Sequence, residues 1–460
     1  MRVWRGSPAT FLSLLLAFTS ATAGLFLTGR SAANPQLSGL HKLMAAMQLV
    51  QAFQGDPDRS PPQLWNRRFG IKLALSLWRR LDRGIWWQAW TADGQTYLVL
   101  PQSLLDSTTS SGLSLRRIDG LVSVSADALH QKQLDQRLAS IGLGTGHANP
   151  LQASCVRRLA TAPSVQWKPD ALARLSGALS PLLQQAGYGC LTLRIQTNHL
   201  QWQGWVGSRD FTSAPHNLLV PERFQVPDLS PGLSDRLPGK TRSSPLLTIE
   251  GQSLGTLLSA LASRQLVREP LEQTYGFKAI QREQLLKAPF RLQLLPQSNP
   301  EFQAALQLQL WPAAGPDSLQ ASFKVLQSHF SQLGLRQAKG EGVVWSSAKV
   351  GANPKDHAVL GGWRWLDVDS RQPLLSVGLG REPAATVVPA LDPAGADPNQ
   401  WLRLRGIPAE MSQRQLLGGA WPRAIRQSPN LELRMIRLGG SRSSDEWMEL
   451  RGQLALASAP

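Results

Sequence analysis

Gly251-Gln252-Ser253-Leu254-Gly255 is the stretch of this chain whose residue types and spacing come nearest to a catalytic device. In a G-x-S-x-G turn between a strand and a helix, the serine hydroxyl is lifted above the sheet, where a histidine can take its proton. Leu246 to Glu250 reads as a strand and Leu254 to Val267 as a helix, so the flanks fit. Such a serine needs an acid and then a histidine later in the chain. Asp317 with His329, and Asp356 with His357, stand in that order. Adjacent residues such as Asp356 and His357 do not readily make the contact that orients the ring.

This pentapeptide and its flanks resemble the nucleophile turn of α/β-class serine hydrolases, and the resemblance implies Ser253 as nucleophile with His329 or His357 as base. The rest of the chain departs from that pattern. No His-Gly-Gly run precedes the turn to supply an oxyanion loop. The downstream chain reads as antiparallel hairpins, where that fold needs parallel strands separated by helices. The simpler reading is a tight turn whose glycines supply the geometry and whose Ser253 caps the helix. We expect a non-enzyme, with the serine hydrolase as the rival.

Other matches are weaker. Ser346-Ser347-Ala348-Lys349 fits S-x-x-K, but in a strand-like context without companion motifs. Gly142-Leu143-Gly144-Thr145-Gly146 lacks the spacing of a dinucleotide loop. The seven histidines are scattered, with no H-E-x-x-H and no paired cysteine ligands. No metal and no cofactor is expected. Cys155 and Cys190 are the two cysteines, and in an oxidising compartment they can form one disulfide. The alternative is two small buried side chains that never meet.

The compartment is set by the N-terminus. Arg2 and Arg5 precede a run free of charge that ends at Arg30. Residues 9 to 28 are its apolar part, and twenty helical residues span roughly 30 Å, one hydrocarbon core. The preceding charges keep the N-terminus cytoplasmic, in an inner or thylakoid membrane, with the bulk in periplasm or lumen. The alternative is a signal peptide cut after Ala21-Thr22-Ala23, giving a secreted protein. Either way residues 31 to 460 leave the cytoplasm, so no nucleic-acid partner is expected. The formal charge is +17, and 37 of the 48 basic residues are arginine, without a block of like charge. A diffuse excess of this kind suits anionic lipid or an envelope polymer, or a basic surface without a specific partner.

The elements follow from periodicity. Leu37 to Phe53 carries a helical stripe, Trp65 to Leu81 reads as a second helix, and Pro169 to Gly187 as a third, interrupted by Pro181. Ile85 to Trp90 and Tyr97 to Leu100 form a hairpin across Thr91-Ala92-Asp93-Gly94. Leu191 to Gln196 and Leu200 to Val206 form another. Residues 207 to 245 hold six prolines among Ser, Gly and Asp and mark a linker. Beyond it, Phe290 to Leu295 and Phe302 to Trp311 form a hairpin, and Asp317 to Leu333 is a helix. Strands follow at Gly342 to Val350, Leu360 to Val368 and Leu374 to Leu379, then at Leu402 to Arg405, Leu431 to Leu438 and Glu446 to Leu456. Alternate residues of a strand share a face, so Trp363 and Trp365 point the same way, into a core or onto a glycan. The expected architecture is α+β: an N-terminal transmembrane helix within residues 1–30, then two lobes, 37–206 and 246–457, of helices packed on mainly antiparallel sheets. The helix-plus-hairpin theme recurs without aligning as a repeat.

The chain resembles uncharacterised cyanobacterial proteins with an N-terminal membrane anchor and an α+β domain of unknown function. The resemblance lies in the anchor, in Pro245-Leu246-Leu247-Thr248-Ile249-Glu250-Gly251, and in Gly361-Gly362-Trp363-Arg364-Trp365 leading to Pro373-Leu374-Leu375-Ser376-Val377-Gly378-Leu379-Gly380. It implies no activity. The expectation is a binding or scaffolding role in the cell envelope.

Overall fold

The structure is a computed structural model. It describes residues 34–105, 112–141, 150–169, 171, 187–196, 198–207, 244–297, 302–313, 315–338, 342–347, 358–367, 373–386, 400–419, 421–437 and 447–457. Residues 9 to 28, most of the Pro-rich stretch, and most of the helix expected over Pro169 to Gly187 lie outside these. Among the described residues, no helix is long and apolar enough to cross a membrane.

The fold is α+β, with a large antiparallel sheet and, among the described residues, eleven α-helices. Two compact units form, one from Met1–Ala46, Gly55–Gln88 and Thr96–Leu143, the other from Met47–Gln54, Ala89–Gln95 and Gly144–Pro460.

In the first unit, α1 is Pro35–Ala46, α2 Gln63–Phe69, α3 Ile71–Leu81 and α4 Ala128–Ser140. The strand β2 runs over Ile85–Trp90, after β1 at Leu49–Gln54 of the second unit; β3 is Thr96–Pro101, β4 Leu115–Ile118 and β5 Leu121–Val124. Two expectations are corrected here. The stripe from Leu37 to Phe53 is not one helix, because α1 stops at Ala46 and Leu49–Gln54 is a strand. The i, i+3 spacing of Met47, Val50 and Phe53 imitates a helix, while pairing of β1 elsewhere in the sheet decides the matter. The helix expected from Trp65 to Leu81 is two, broken at Gly70, whose φ of 74° no helix interior accepts. The core of this unit is aromatic. Trp65 meets Trp78 and Trp86 edge-on, with ring centroids 5.0 and 5.6 Å apart. The indole N–H of Trp78 donates to the carbonyls of Asp56 and Arg59.

The second unit contains α5 at Pro150–Thr161, β6 Ser164–Trp167, β7 Tyr188–Gln196, β8 His199–Gly207 and β9 Leu247–Gly251. Helices α6 Gly255–Ala262, α7 Gln265–Glu269 and α8 Ala279–Lys287 follow, then β10 Phe290–Pro296, β11 Ala304–Leu310 and α9 Pro316–Gln332. The rest is β12 Arg336–Ala338, β13 Val343–Ser346, β14 Val359–Asp367, β15 Pro373–Leu379, β16 Gln400–Gly406, α10 Pro408–Gln413, α11 Arg423–Arg426, β17 Leu431–Arg437 and β18 Met448–Ala455. The helix expected over Leu254 to Val267 is therefore split into α6 and α7, with Ser263 and Arg264 between them.

Following the pairings gives one continuous order: β1-β6-β7-β8-β18-β17-β16-β9-β10-β11-β15-β14-β13-β12, each neighbour antiparallel. Three times the chain lays down a strand, leaves the sheet, and returns as a hairpin beside that strand: β6 then β7–β8, β9 then β10–β11, β16 then β17–β18. The pair β9–β16 relates the last two as a local two-fold, with Leu247 opposite Gly406 and Gly251 opposite Leu402. Strands pairing in this order across residues 207–245 place the chain on both sides of the Pro-rich stretch in one sheet.

Alternation gives that sheet two different faces. One is apolar: Leu402, Phe290, Leu310 and Leu375 meet Leu254, Leu285, Leu319 and Phe323 from α6, α8 and α9 and the turn before them. Trp363 stacks on Phe323 at 5.0 Å and Trp365 meets the same ring edge-on, so both tryptophans belong to this core. The opposite face is polar, and it carries the candidate site.

Candidate functional site

The G-x-S-x-G turn is the chemical candidate of the sequence. Its strand β9 is antiparallel to both neighbours, β10 and β16. The Ser253 hydroxyl donates to the carbonyl of Leu286 in α8 at 2.7 Å. Ser253 is not the N-cap of α6: Leu254 holds that position, with no side-chain capping bond. A Cβ at Gly251 would lie 2.7 Å from the Phe290 ring, and one at Gly255 3.2 Å from the Leu286 carbonyl. Close approach to core side chains and to α8 therefore accounts for all three motif positions. His329 lies near the end of α9, its ring edge-on to Tyr275 at 5.3 Å. His357 lies outside the described residues. We expect Ser253→Ala to cost about 1 kcal/mol by leaving the Leu286 carbonyl without its donor. A chemical denaturation curve reads this directly, and an unchanged midpoint would mean that the tie to α8 is not made.

The polar face is built by strands that alternate leucine or another apolar residue with a charge or an amide. Opposed residues run across it in a row: Thr192, Gln203, Arg451, Arg434, Arg403, Glu250, Arg291, Gln309, Ser376, Arg364. Like charges directly opposite one another repel, and three arginines meet that condition here. Carboxylates compensate. Glu432 Oε1 accepts from Arg403 at 2.8 Å and Arg434 at 3.0 Å and lies 3.6 Å from Arg405. Glu449 takes Arg451 at 2.7 and 2.9 Å and Gln203 Nε2 at 2.6 Å. Glu250 pairs with Arg291.

The depth of the two charge types differs. Glu432 and Glu449 keep 7 % and 6 % of their side chains exposed, against 20 %, 30 %, 25 % and 22 % for Arg403, Arg405, Arg434 and Arg451. Around Glu432 and Glu449 carboxylates form the floor and guanidinium groups the surface, while Arg291 and Glu250 lie almost equally deep, at 14 % and 11 %. Among the ion pairs of the described residues, five arginines on this face meet three glutamates. A guanidinium has five donors in a planar fork, and the one carboxylate oxygen that Arg403 and Arg434 share does not use up both forks.

At the β7–β8 end α5 crosses this face. Cys155 of α5 is joined to Cys190 of β7 in a disulfide, Cα to Cα 5.9 Å. One turn on, Arg158 donates to Thr192 Oγ1 and the Gln203 carbonyl, each at 3.2 Å, with its guanidinium 4.0 Å above the Trp205 ring. Burial pulls Arg158 down to about 10, opposed by the charge of Glu449. Among the described residues no group of three or more His, Cys, Asp or Glu is arranged to hold a metal ion.

Sequence reasoning missed this face, although a signal was present. Leu402-Arg403-Leu404-Arg405, Leu431-Glu432-Leu433-Arg434 and Met448-Glu449-Leu450-Arg451 alternate apolar and charged residues, as Leu306-Gln307-Leu308-Gln309 alternates apolar and amide. Alternation shows that each strand has a polar side. It does not show that the strands stand next to one another. Compared with family models, curated proteins and solved structures, the chain finds no match.

Proposed function

We propose that this is a membrane-anchored binding protein of the cell envelope, non-catalytic, which holds an anionic ligand on the arginine face of its sheet. Residues 9 to 28 carry it across an inner or thylakoid membrane as an N-terminal transmembrane helix, N-terminus cytoplasmic, ahead of the α+β fold; the cyanobacterial proteins it resembles likewise pair an anchor with an α+β domain. The observation that carries the binding role is the layering of charge, with guanidinium groups outward and carboxylates beneath. Arginine forks recognise carboxylate and phosphate groups through paired, charge-assisted hydrogen bonds. Lipid headgroups and envelope polymers both bear such groups.

The test must separate this face from the overall charge of +17. The full chain in nonionic detergent is titrated with dihexanoyl phosphatidylglycerol and with oligogalacturonate at one ionic strength, because exposed charge is screened. Arg405→Gln with Arg434→Gln leaves Glu432 its closest partner, Arg403. Arg67→Gln with Arg79→Gln removes the same charge from exposed helix positions in the other unit. We expect the first pair to weaken binding about tenfold, the worth of one charge-assisted bond, and the second less than about twofold. Equal weakening by both pairs would reduce the effect to net charge and overturn the reading.

A further inference from the structure

We infer that the ligand of the arginine face is an acidic glycan, laid across the strands as a short extended segment; this rests on the binding role proposed above. Three observations point to it. The first is shape. The cations Arg451, Arg434, Arg403 and Arg291 lie on β18, β17, β16 and β10, with Glu250 of β9 in the same row. Four strand spacings make a track about 19 Å long. Both ends of the track are covered. At β8, α5 crosses with Arg158 over Trp205. At β15, the backbone after the strand passes over the face, so close that a Cβ at Gly378 would lie 2.6 Å from the Arg381 carbonyl. A track of charges with two covered ends suits a linear oligomer better than a single headgroup.

The second observation is chemical. The next row on the same face runs Gln201, Gln453, Glu432, Arg405, Thr248 and Gln293, so amides and a hydroxyl stand on either side of one further ion pair. A phospholipid would need apolar surface beside its phosphate for the acyl chains. A sugar needs donors and acceptors for its hydroxyls, which amides supply in both senses.

The third is the end of the track. Among the described residues, Gln309 Oε1 and Ser376 Oγ are buried on this face without a hydrogen-bond partner, while Gln309 Nε2 donates to the Thr386 carbonyl at 3.4 Å. A buried polar group is ordinarily paired. Here an acceptor and a hydroxyl stand beyond Arg291 in the same row, at the covered end, where a terminal sugar unit tucked beneath the backbone after β15 would meet them.

Oligogalacturonates of defined length, from two units to eight, test this on the full chain in nonionic detergent. Affinity should rise at least about tenfold until the oligomer spans about 19 Å and then level off, as successive contacts become intramolecular. Ser376→Ala removes an unpartnered hydroxyl, so the melting temperature should hold or rise. The same variant should weaken the longest oligomers while sparing the dimer. Affinity that does not depend on length but is still lost with Arg405→Gln and Arg434→Gln would overturn the glycan and leave the anion-binding face standing. So would phosphatidylglycerol that outcompetes every oligomer. Binding indifferent to the arginine pair would sink both.

Discussion

Glu432→Ala should lower the stability of the protein by about 2–3 kcal/mol, a loss out of scale with one side chain at the sheet surface. The reason is that Glu432 serves three arginines. Arg403 and Arg434 donate to its Oε1, and Arg405 stands 3.6 Å away on the facing strand. Removing one partner of a fully buried pair costs about 3–5 kcal/mol, because the remaining charge is stranded. The arginines here keep a fifth to a third of their side chains in water, so the figure is discounted. Repulsion adds to the loss, since Arg403 and Arg434 are directly opposed. Glu432→Gln keeps an acceptor but no charge and should fall between. Urea unfolding followed by tryptophan fluorescence measures both variants. A loss under about 0.5 kcal/mol would show that the carboxylate floor is dispensable. The variant also probes the site: an anionic oligomer that replaces the missing negative charge should stabilise Glu432→Ala more than it stabilises the parent.

How much of this was legible beforehand depends on the range of the interaction. The strands over Phe290–Pro296, Ala304–Leu310, Val359–Asp367, Pro373–Leu379 and Leu431–Arg437 announce themselves by period two, and the turn at Asp93-Gly94 by its dipeptide, with Gly94 at φ 84°. The hairpin β4–β5 turns on Asp119-Gly120, a dipeptide of the same kind, with φ of 35° and 74°. Its strands have four residues each, too short for alternation to register. Gly70 broke an expected helix for a local reason, its positive φ, which glycine permits without signalling. The arginine face was illegible for a different reason. Glu432 and Arg405 are close because β16 and β17 pair, and Arg451 joins them because β18 pairs with β17. Nothing in the residues of one strand specifies its neighbours. The serine motif is ambiguous in the opposite direction, since packing against Phe290 and α8 suffices to account for its three fixed positions.

Replacing the disulfide should cost more than any single substitution away from the core. Cys155→Ala with Cys190→Ala is expected to lose about 3–4 kcal/mol, chiefly because the unfolded chain is no longer held in a loop across a sequence separation of 35. Both cysteines are fully buried and neither is free, so alanine leaves little unpaired polarity and the loss reports the crosslink. In the folded parent a thiol reagent should find nothing to label until denaturant is added. The bond also has a local consequence. It fixes α5 on the polar face, and α5 delivers Arg158 to Thr192 and the Gln203 carbonyl. Placing a cation there opposes burial, which already pulls Arg158 down to about 10, so the helix needs an attachment that does not depend on that side chain. Without the disulfide, α5 should loosen before the sheet does. Hydrogen exchange should then show Pro150–Thr161 losing protection while Leu431–Arg437 and Met448–Ala455 keep theirs. Protection lost equally from helix and sheet would instead make the bond a brace for the whole unit.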